Sequence, residues 1–219
     1  MARRGALKAR VAAAEQLYGV LYSAPDELRQ PLLRLKTKTL VGACAALRPG
    51  PVTSPTAATK ATLRILARRW QQLQAELTQL DPQLQGLVSV VVPTLVALPG
   101  VGVDTAGQLL VTAGDNPQRL RGEAAFAHLC GVSPIPASSG RTHRHRLNRG
   151  GDRHANNALW RIALVGMRCH PPTRAYVERR TNQGLSKLDI LRCLQRYIAR
   201  EVYHHLTDPA AITPPTCPK

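Results

Sequence analysis

The apolar positions of this chain predict a mainly helical protein. In the most regular set, members are spaced alternately three and four residues apart: Leu63, Leu66, Trp70, Leu73, Leu77, Leu80, Leu84 and Leu87. This spacing is the a/d pattern of a coiled coil, and it predicts a long helix whose apolar edge packs either on a second copy or on its own chain. Pro82 follows Asp81 as a first-turn proline follows a cap, so we expect the helix to kink or restart there.

Two shorter helical patterns precede this helix. The first ends at about Tyr22, and the second ends at Arg48-Pro49-Gly50. The next stretch, PGPVTSPTAAT, is typical of a linker. The organisation expected along the chain is a helical segment over 1–48, a linker over 49–59, a coiled-coil helix over 60–92, a helical domain over 93–207 and a disordered, proline-rich tail over 208–219.

The expected fold class is therefore all-α, with a long coiled-coil-like helix and a compact helical domain. Within the domain, a short helix that begins at Pro117 is expected to turn Phe126, Leu129 and Cys130 inward. A longer helix is expected from Asp152 to Cys169, because its apolar residues recur at helical spacing.

The last helix of the domain has two distinct faces. Ser186 and Asp189 form the pattern of a capping box at its start. Its opposite side carries Arg192, Arg196 and Arg200, spaced four residues apart, which we expect to contact phosphates or to be a solvated surface. Its apolar face consists of Leu188, Leu191, Leu194, Ile198, Val202 and Leu206.

The segment LPGVGVDTAGQLL, residues 98–110, has the pattern of a helix-hairpin-helix motif. Gly100 and Gly102 permit a tight turn and are expected to direct free backbone N–H groups outward, and a second helix opens near Thr105. Because the positive end of that helix adds to their field, we expect a DNA phosphate to bind here without any charged side chain. The alternative is an ordinary helical hairpin with a glycine turn.

Charge narrows the class of partner. The formal net charge is +17, and residues 141–200 alone hold fourteen Arg or Lys against three Asp or Glu, a net +11. The charge is thus concentrated in one part of the chain, which predicts a basic patch that binds nucleic-acid phosphates.

Cysteine usage and hydropathy indicate where the protein works. The five cysteines are odd in number and never form a CxxC pair, which is typical of reduced thiols and gives no support to a zinc site. The chain contains neither an uninterrupted apolar run of about 18 residues nor a signal-peptide pattern. We therefore expect a cytoplasmic protein with no membrane partner and with no cofactor held by this chain.

Residues 131–157, GVSPIPASSGRTHRHRLNRGGDRHANN, carry the candidate chemistry. A segment so rich in Gly, Ser and Arg cannot bury a face of its own, so we expect a loop. Ser138 and Ser139 stand directly before Gly140, and serine attack on phosphate needs the neutralisation that guanidinium groups provide. The alternative is a basic loop that only grips the phosphate backbone. The candidate phosphate-binding arginines of the loop are Arg141, Arg144, Arg146, Arg149 and Arg153.

Several segments together resemble the C-terminal part of the transposases of the insertion sequence 110 and insertion sequence 116 family, DEDD-class recombinases guided by a bridge RNA. The similarity extends over nearly all of residues 25–206. The matching stretches are LRQPLLRL, CAALRPG, the heptad helix, LPGVGVDTAGQLLVTAGDNPQRLRGEAAFAHLCGVSPIPASSG, HRLNRGGDRHANNALW and TRAYVERRTNQGLSKLDILRCLQRYIAREVY.

The resemblance implies that two domains contribute to the active site. Members of the family join an RNase H-like domain, which bears four metal-binding acids, through a coiled coil to a helical domain that supplies a nucleophilic serine. Ser139 matches that serine, and Ser138 is the alternative. Because no acid-bearing strands precede the heptad helix, we expect the RNase H-like half and its Mg²⁺ to be missing from this chain.

The leading hypothesis is a partial DNA recombinase of insertion-sequence transposition. Its serine attacks a DNA phosphodiester while the basic residues hold the phosphate. The expected partners are DNA, a guide RNA and a second copy bound through residues 63–87, in the nucleoid of a bacterial cytoplasm. An alternative is a catalytically inactive fragment that binds nucleic acid and dimerises with a full-length enzyme.

Two further classes of enzyme are less favoured. A helix-hairpin-helix DNA glycosylase needs a catalytic Asp in a strand-like segment after the hairpin, whereas Asp115 stands in TAGDNP. A tyrosine recombinase needs an accessible tyrosine, whereas Tyr176, Tyr197 and Tyr203 lie in helical core patterns.

Overall fold

The computed structural model describes residues 1–114, 120–140, 145–146 and 148–207. This part of the chain is mainly helical, which confirms the expected fold class, and it includes one two-stranded antiparallel sheet. The elements are α1 (Ala2–Tyr22), α2 (Asp26–Leu33), α3 (Thr37–Ala45), α4 (Pro55–Val91), α5 (Pro93–Val96), α6 (Val103–Ala113), α7 (Glu123–Leu129), β1 (Ile135–Pro136), β2 (His145–Arg146), α8 (Arg153–Cys169), α9 (Pro171–Asn182) and α10 (Lys187–Thr207).

Packing divides the chain into two compact units, residues 1–83 and 84–219. The five-segment organisation stays a prediction. The helix start expected at Pro117, the glycosylase-type Asp115 and the tail over 208–219 lie outside the described residues. No helix within the described ranges has both the length and the apolar character that a membrane crossing requires.

Helix α4 is longer than the sequence predicts. It begins at Pro55, inside the expected linker, because Ser54 caps it: the Ala57 N–H donates to Ser54 Oγ at 3.2 Å, and the proline occupies the first turn, where no backbone N–H is needed. The helix then continues through Pro82 to Val91, so the expected restart at Pro82 does not occur.

The apolar edge of α4 packs within the unit of residues 1–83. Leu63 and Ala67 are fully buried in a cluster that also contains Leu17 and Leu21 of α1 and Leu40 of α3. The edge therefore finds partners in its own chain, as one of the two sequence interpretations allowed.

Helix α1 runs antiparallel to α4. Arg3 pairs with Asp81, and Arg10 contacts Gln74 and lies over the Trp70 ring, 5.5 Å from its centroid. Residues further along α1 thus meet earlier residues of α4. Self-association through residues 63–87 stays a prediction.

The burial of individual positions changes the argument for that self-association. Leu77 is 3% exposed and Leu63 is fully buried, so neither side chain is accessible to a second copy. Leu87, in contrast, is 65% exposed.

The unit of residues 84–219 is built on α8, against which α6, α9 and α10 pack. Its main core contains Leu109 of α6, Phe126 of α7, Leu159 of α8 and Val202 of α10. A smaller cluster joins Ala163 of α8 to three residues of α10: Ile190, Leu191 and Leu194. The cap of α10 is as predicted, since the Asp189 N–H donates to Ser186 Oγ at 3.2 Å.

Three residues expected in the core are instead exposed. Leu129, the last residue of α7, is 41% exposed, Leu188 in the first turn of α10 is 65% exposed, and Tyr197 is 55% exposed. Periodicity assigns a residue to a face of a helix but does not tell how far along the helix a neighbour covers that face.

Candidate nucleic-acid interface

Backbone contacts between the end of α7 and the start of α8 hold the two ends of the serine segment together. We term residues 128–131 and 148–156 the hairpin base. The Asp152 N–H donates to Leu129 O at 2.7 Å, and Asn156 Nδ2 donates to Gly131 O at 3.2 Å. Gly131 has a φ of +69°, and a Cβ on Gly151 would lie 2.2 Å from Gly131 N. No side chain fits at Gly151, because backbone fills the space it would need.

A buried amide completes the hairpin base. Asn148 is 8% exposed, its Nδ2 lies 2.7 Å from His128 Nδ1 and donates to His128 O at 3.2 Å, and its Oδ1 accepts from the Gly150 N–H at 3.0 Å. Because the amide nitrogen Nδ2 can only donate a hydrogen bond, His128 Nδ1 is the acceptor. Sequence reasoning missed Asn148, since a single polar residue between arginines carries no periodic signal.

Asp152 ties α6 to α8. Its Oδ2 accepts from Thr112 Oγ1 of α6 at 2.7 Å, and its Oδ1 caps α8 by accepting from the His154 N–H at 2.7 Å. Burial raises the pKa of this carboxyl, but the hydrogen bonds from Thr112, His154 and Ala155 outweigh burial and lower the pKa below its ordinary value. Asp152 is therefore a charged anchor at neutral pH.

The candidate nucleophiles lie in the connection between the two strands. Ile135 pairs with Arg146 and Pro136 with His145 in antiparallel register, and Ala137 separates β1 from the serines. Ser138 and Ser139 are both exposed. At about 3.3 Å per residue, Ser139 is about 10 Å of extended chain beyond Pro136. Arg141 and Arg144 lie outside the described residues.

A cavity of about 900 Å³ lies beside the hairpin base, and we term it the α10 cavity. Its basic lining consists of His145 and Arg146 of β2, Arg180 of α9, and Arg192 and Arg196 of α10. Among its described lining residues the acid is Asp189, whose carboxylate accepts from Arg192 at 3.0 Å. Buried Gln195 fixes α10 to the hairpin base by donating to Asn156 O at 3.2 Å.

The α10 cavity thus brings together three arginines that sequence reasoning singled out, Arg146, Arg192 and Arg196. It adds Arg180, which that reasoning missed. The sequence signal for Arg180 was the Arg179-Arg180 pair, but a pair on a helix does not say which member points toward a neighbouring element.

A second cavity, of about 490 Å³, lies at the start of α8, and we term it the α8 cavity. It brings together the predicted Arg149 and Arg153 with Asn157 and with Trp160, which is 39% exposed. Both cavities include Gly131, Asn148 and Asn156 in their lining, so the hairpin base forms part of the wall of each.

The glycine turn before α6 differs from the predicted phosphate site. The Gly102 N–H donates to Thr105 Oγ1 at 3.0 Å, and this hydroxyl donates back to Gly102 O at 2.7 Å. Thr105 is 5% exposed. The expected outward N–H is therefore wrong for Gly102, because a side chain three residues along the chain already accepts its hydrogen.

Gly100 and Asp104 of this turn also contact α8. Gly100 has a φ of +81°, and a Cβ there would lie 3.3 Å from Ile162 O and Val165 Cβ of α8. Asp104, in the first turn of α6, pairs with Arg161 at 2.6 Å and places a carboxylate at the helix end where an anion was expected.

Comparison with known proteins finds a similar family. Residues 93–178, which include the glycine turn, the hairpin base and α8, match the model of the Transposase IS116/IS110/IS902 family. This part of the chain is therefore similar to transposases of that family.

Two relatives are similar to the chain over part of its length. The chain is 33% identical over 132 residues to the Insertion element IS110 uncharacterized 43.6 kDa protein of Streptomyces coelicolor, over 59% of this chain and 32% of that protein. It is 27% identical over 123 residues to the Insertion element IS900 uncharacterized 42 kDa protein of Mycobacterium paratuberculosis. This match covers 56% of this chain and 31% of that protein. The matches thus span about a third of the length of each relative.

Proposed function

We propose that this chain is the DNA-binding part of an insertion-sequence transposase and that Ser139 is its nucleophile toward a DNA phosphodiester. The observation that carries the proposal is the position of the two arginine-lined cavities, which share the hairpin base from which the serine segment extends. The match of residues 93–178 to a transposase family supports DNA as the partner.

The proposed reaction is an in-line displacement at phosphorus. Ser139 Oγ forms a bond to phosphorus, the bond from phosphorus to the leaving deoxyribose oxygen breaks, and the hydroxyl proton passes to a base while the leaving oxygen gains a proton. Negative charge spreads over the non-bridging oxygens, and the guanidinium groups of Arg146, Arg149 and Arg153 are suited to neutralise it. The family resemblance implies that metal-binding acids outside these residues activate the attack.

The remaining partners of the proposal are a guide RNA and a second copy of the chain. The guide RNA rests on the family resemblance, and the strongly basic composition supports it. Self-association rests on the a/d pattern of residues 63–87, of which Leu66, Leu73 and Leu80 stay half-buried in the unit of residues 1–83.

The test of the nucleophile is a covalent adduct. The chain is incubated with labelled nicked DNA and with a separately purified RNase H-like domain of a family member, and a denaturing gel is read for a protein-linked strand. We expect Ser139→Ala to abolish the adduct and to leave DNA affinity within about tenfold, because one neutral hydroxyl contributes only about 0.5–1.5 kcal/mol. Ser138→Ala is the matched control and should keep the adduct.

The contrary outcomes are distinct. An adduct that survives in Ser139→Ala but disappears in Ser138→Ala moves the role to Ser138. An adduct that survives both changes ends the serine hypothesis.

DNA binding of the serine variants and of Arg146→Ala is measured as a function of salt. Arg146→Ala should lower the slope of log affinity against log salt by about one unit.

A further inference from the structure

The α10 cavity combines positive charge with an accessible aromatic ring. Tyr197 is 55% exposed and belongs to the lining, next in sequence to Arg196, which itself lies one helical turn from Arg192. Positive charge alone would suit any phosphate group. An exposed aromatic ring beside that charge leaves apolar surface in contact with water, which is unfavourable unless a flat partner covers the ring. The pairing of arginines with an exposed aromatic ring is the arrangement with which proteins bind single-stranded nucleic acid.

The orientation of Tyr197 is set by its neighbours. Its ring meets that of Tyr176 edge to face, with centroids 5.7 Å apart and planes at 84°. Tyr176 is itself contacted by Arg179, whose guanidinium carbon lies over the ring, 5.4 Å from its centroid. An edge-to-face contact fixes a ring without stacking on it, so Tyr197 keeps a ring face for a further partner.

Arg180 adds a donor on the α9 side of the cavity. Its Nη1 donates to Gln183 Oε1 at 2.8 Å, whereas its Nε is buried and has no hydrogen-bond acceptor within the described residues. The Nε hydrogen is shielded from the cavity, so a phosphate would meet the Nη hydrogens of Arg180, and phosphate oxygens are strong acceptors.

Volume and chemistry together select the ligand. About 900 Å³ lies within the range of about 300–1,000 Å³ typical of small-ligand sites, which suits one nucleotide and not a duplex. In a duplex each base is already stacked on both faces, whereas an unpaired base offers a face to an aromatic side chain.

We propose that the α10 cavity binds an unpaired nucleotide of a single nucleic-acid strand, with its base stacked on Tyr197 and its phosphate held by Arg180, Arg192 and Arg196. This chemistry is common to single-stranded DNA and RNA. The inference rests on the proposed function as far as nucleic-acid binding is concerned, and it adds a site and a strandedness that the serine chemistry does not require.

The test measures binding of the full chain by fluorescence anisotropy. Three labelled probes of one sequence are compared: a short DNA strand, the matching RNA strand and the DNA duplex. We expect Tyr197→Ala to weaken single-strand binding about tenfold, which corresponds to about 1.4 kcal/mol, and to leave duplex binding within about twofold. Tyr197→Phe keeps the ring and should bind as the wild type does.

The matched control is Tyr22→Ala. Tyr22 of α1 is also exposed, at 62%, and also pairs with a second tyrosine, Tyr18, at 6.3 Å, but it does not line the cavity. If Tyr197→Ala binds single strands as well as Tyr22→Ala does, the α10 cavity proposal is overturned while nucleic-acid binding stands. If the wild type binds none of the probes, the proposed function falls as well.

A second measurement does not depend on the folding of a variant. The wild-type chain is photo-cross-linked to a strand that carries 5-iodouracil and is then digested with trypsin. Cleavage after Arg196 and Arg200 releases the peptide Tyr197–Arg200, and we expect the cross-linked mass on this peptide. A cross-link confined to other peptides contradicts the proposal, and the relative yields with DNA and RNA strands identify which of them the cavity takes.

Discussion

Two glycine-containing segments of the unit of residues 84–219 differ in the donors that they leave for a phosphate. Both the turn at residues 98–105 and the hairpin base were candidates for phosphate binding. In the turn, the Gly102 N–H is satisfied by Thr105 Oγ1, and Gly100 packs on α8. At the hairpin base the glycines also serve packing, but arginines stand around them on two sides.

The difference shows that contacts within the protein satisfy a backbone N–H donor more easily than they satisfy a guanidinium group. A backbone N–H offers one hydrogen, and one neighbouring hydroxyl accepts it. A guanidinium offers five hydrogens, so Arg192 can pair with Asp189 and still present donors to the α10 cavity. We therefore expect nucleic-acid binding to depend on the arginines, and Gly100, Gly131 and Gly151 to be needed for stability.

The largest effect is expected at the glycine contact of the hairpin base. Gly151→Ala places a Cβ 2.2 Å from Gly131 N, so backbone must move, and we expect a loss of about 3 kcal/mol in the free energy of unfolding. The control is Gly150→Ala, whose Cβ would meet only Asn148 Oδ1, at 3.4 Å, and which should cost less than about 1 kcal/mol. Urea unfolding followed by circular dichroism measures both.

Thiol labelling gives the same prediction a local readout. Burial, followed by the nearby Asp152 charge, raises the pKa of Cys130 to about 12, so its thiol should resist iodoacetamide in the wild type. Exposed Cys169 should react in every variant. Gly151→Ala should make Cys130 reactive, and a Cys130 that stays protected in that variant would mean that the hairpin base tolerates the extra methyl group.

A smaller effect is expected at the helix cap. Asp152→Asn weakens the cap of α8 and the bond from Thr112, and should lower the free energy of unfolding by about 1 kcal/mol at neutral pH. Because the folded-state pKa of Asp152 is lowered, its charge contributes stability above the ordinary carboxyl pKa and loses that contribution as pH falls through the lowered pKa.

The difference between wild type and Asp152→Asn should therefore shrink in acid. Unfolding curves at neutral and acid pH measure it, and a difference that is constant with pH would contradict the charged anchor. The matched control is Asp104→Asn. The Asp104 carboxylate pairs with Arg161 at the surface, where both side chains are about half exposed, so its change should cost about 0.5 kcal/mol or less.

The smallest effect tests the glycine turn directly. Thr105→Val keeps the shape of the side chain and removes the hydroxyl that serves Gly102, so we expect a loss of about 0.5 kcal/mol in stability and no change in DNA affinity beyond about twofold. Thr62→Val, at an exposed position of α4, is the control for the substitution itself. A DNA affinity that changes by more than about tenfold in Thr105→Val alone would restore the turn as a phosphate site.

Local features of the fold were predictable from the sequence, whereas contacts between distant elements were not. The apolar periods of α8 and α10 and the Ser186 cap were predicted, because they depend on residues within a few positions of one another. The exposure of Leu188 and Tyr197 was not, since it depends on where the neighbouring elements stop. The a/d pattern of α4 predicted a packed edge but not that α1 of the same chain lies along it.

For the candidate site, the sequence by itself determined the chemistry: a serine pair, a run of arginines and a net charge concentrated in residues 141–200. Only the tertiary structure decided which arginines share a cavity. Arg146 and Arg196 are fifty positions apart, and what brings them together is a buried Asn148, a glycine contact without room for a methyl group and the bond from Gln195 to the hairpin base. Such contacts join distant positions through packing and hydrogen bonds, and no local pattern of residues encodes them.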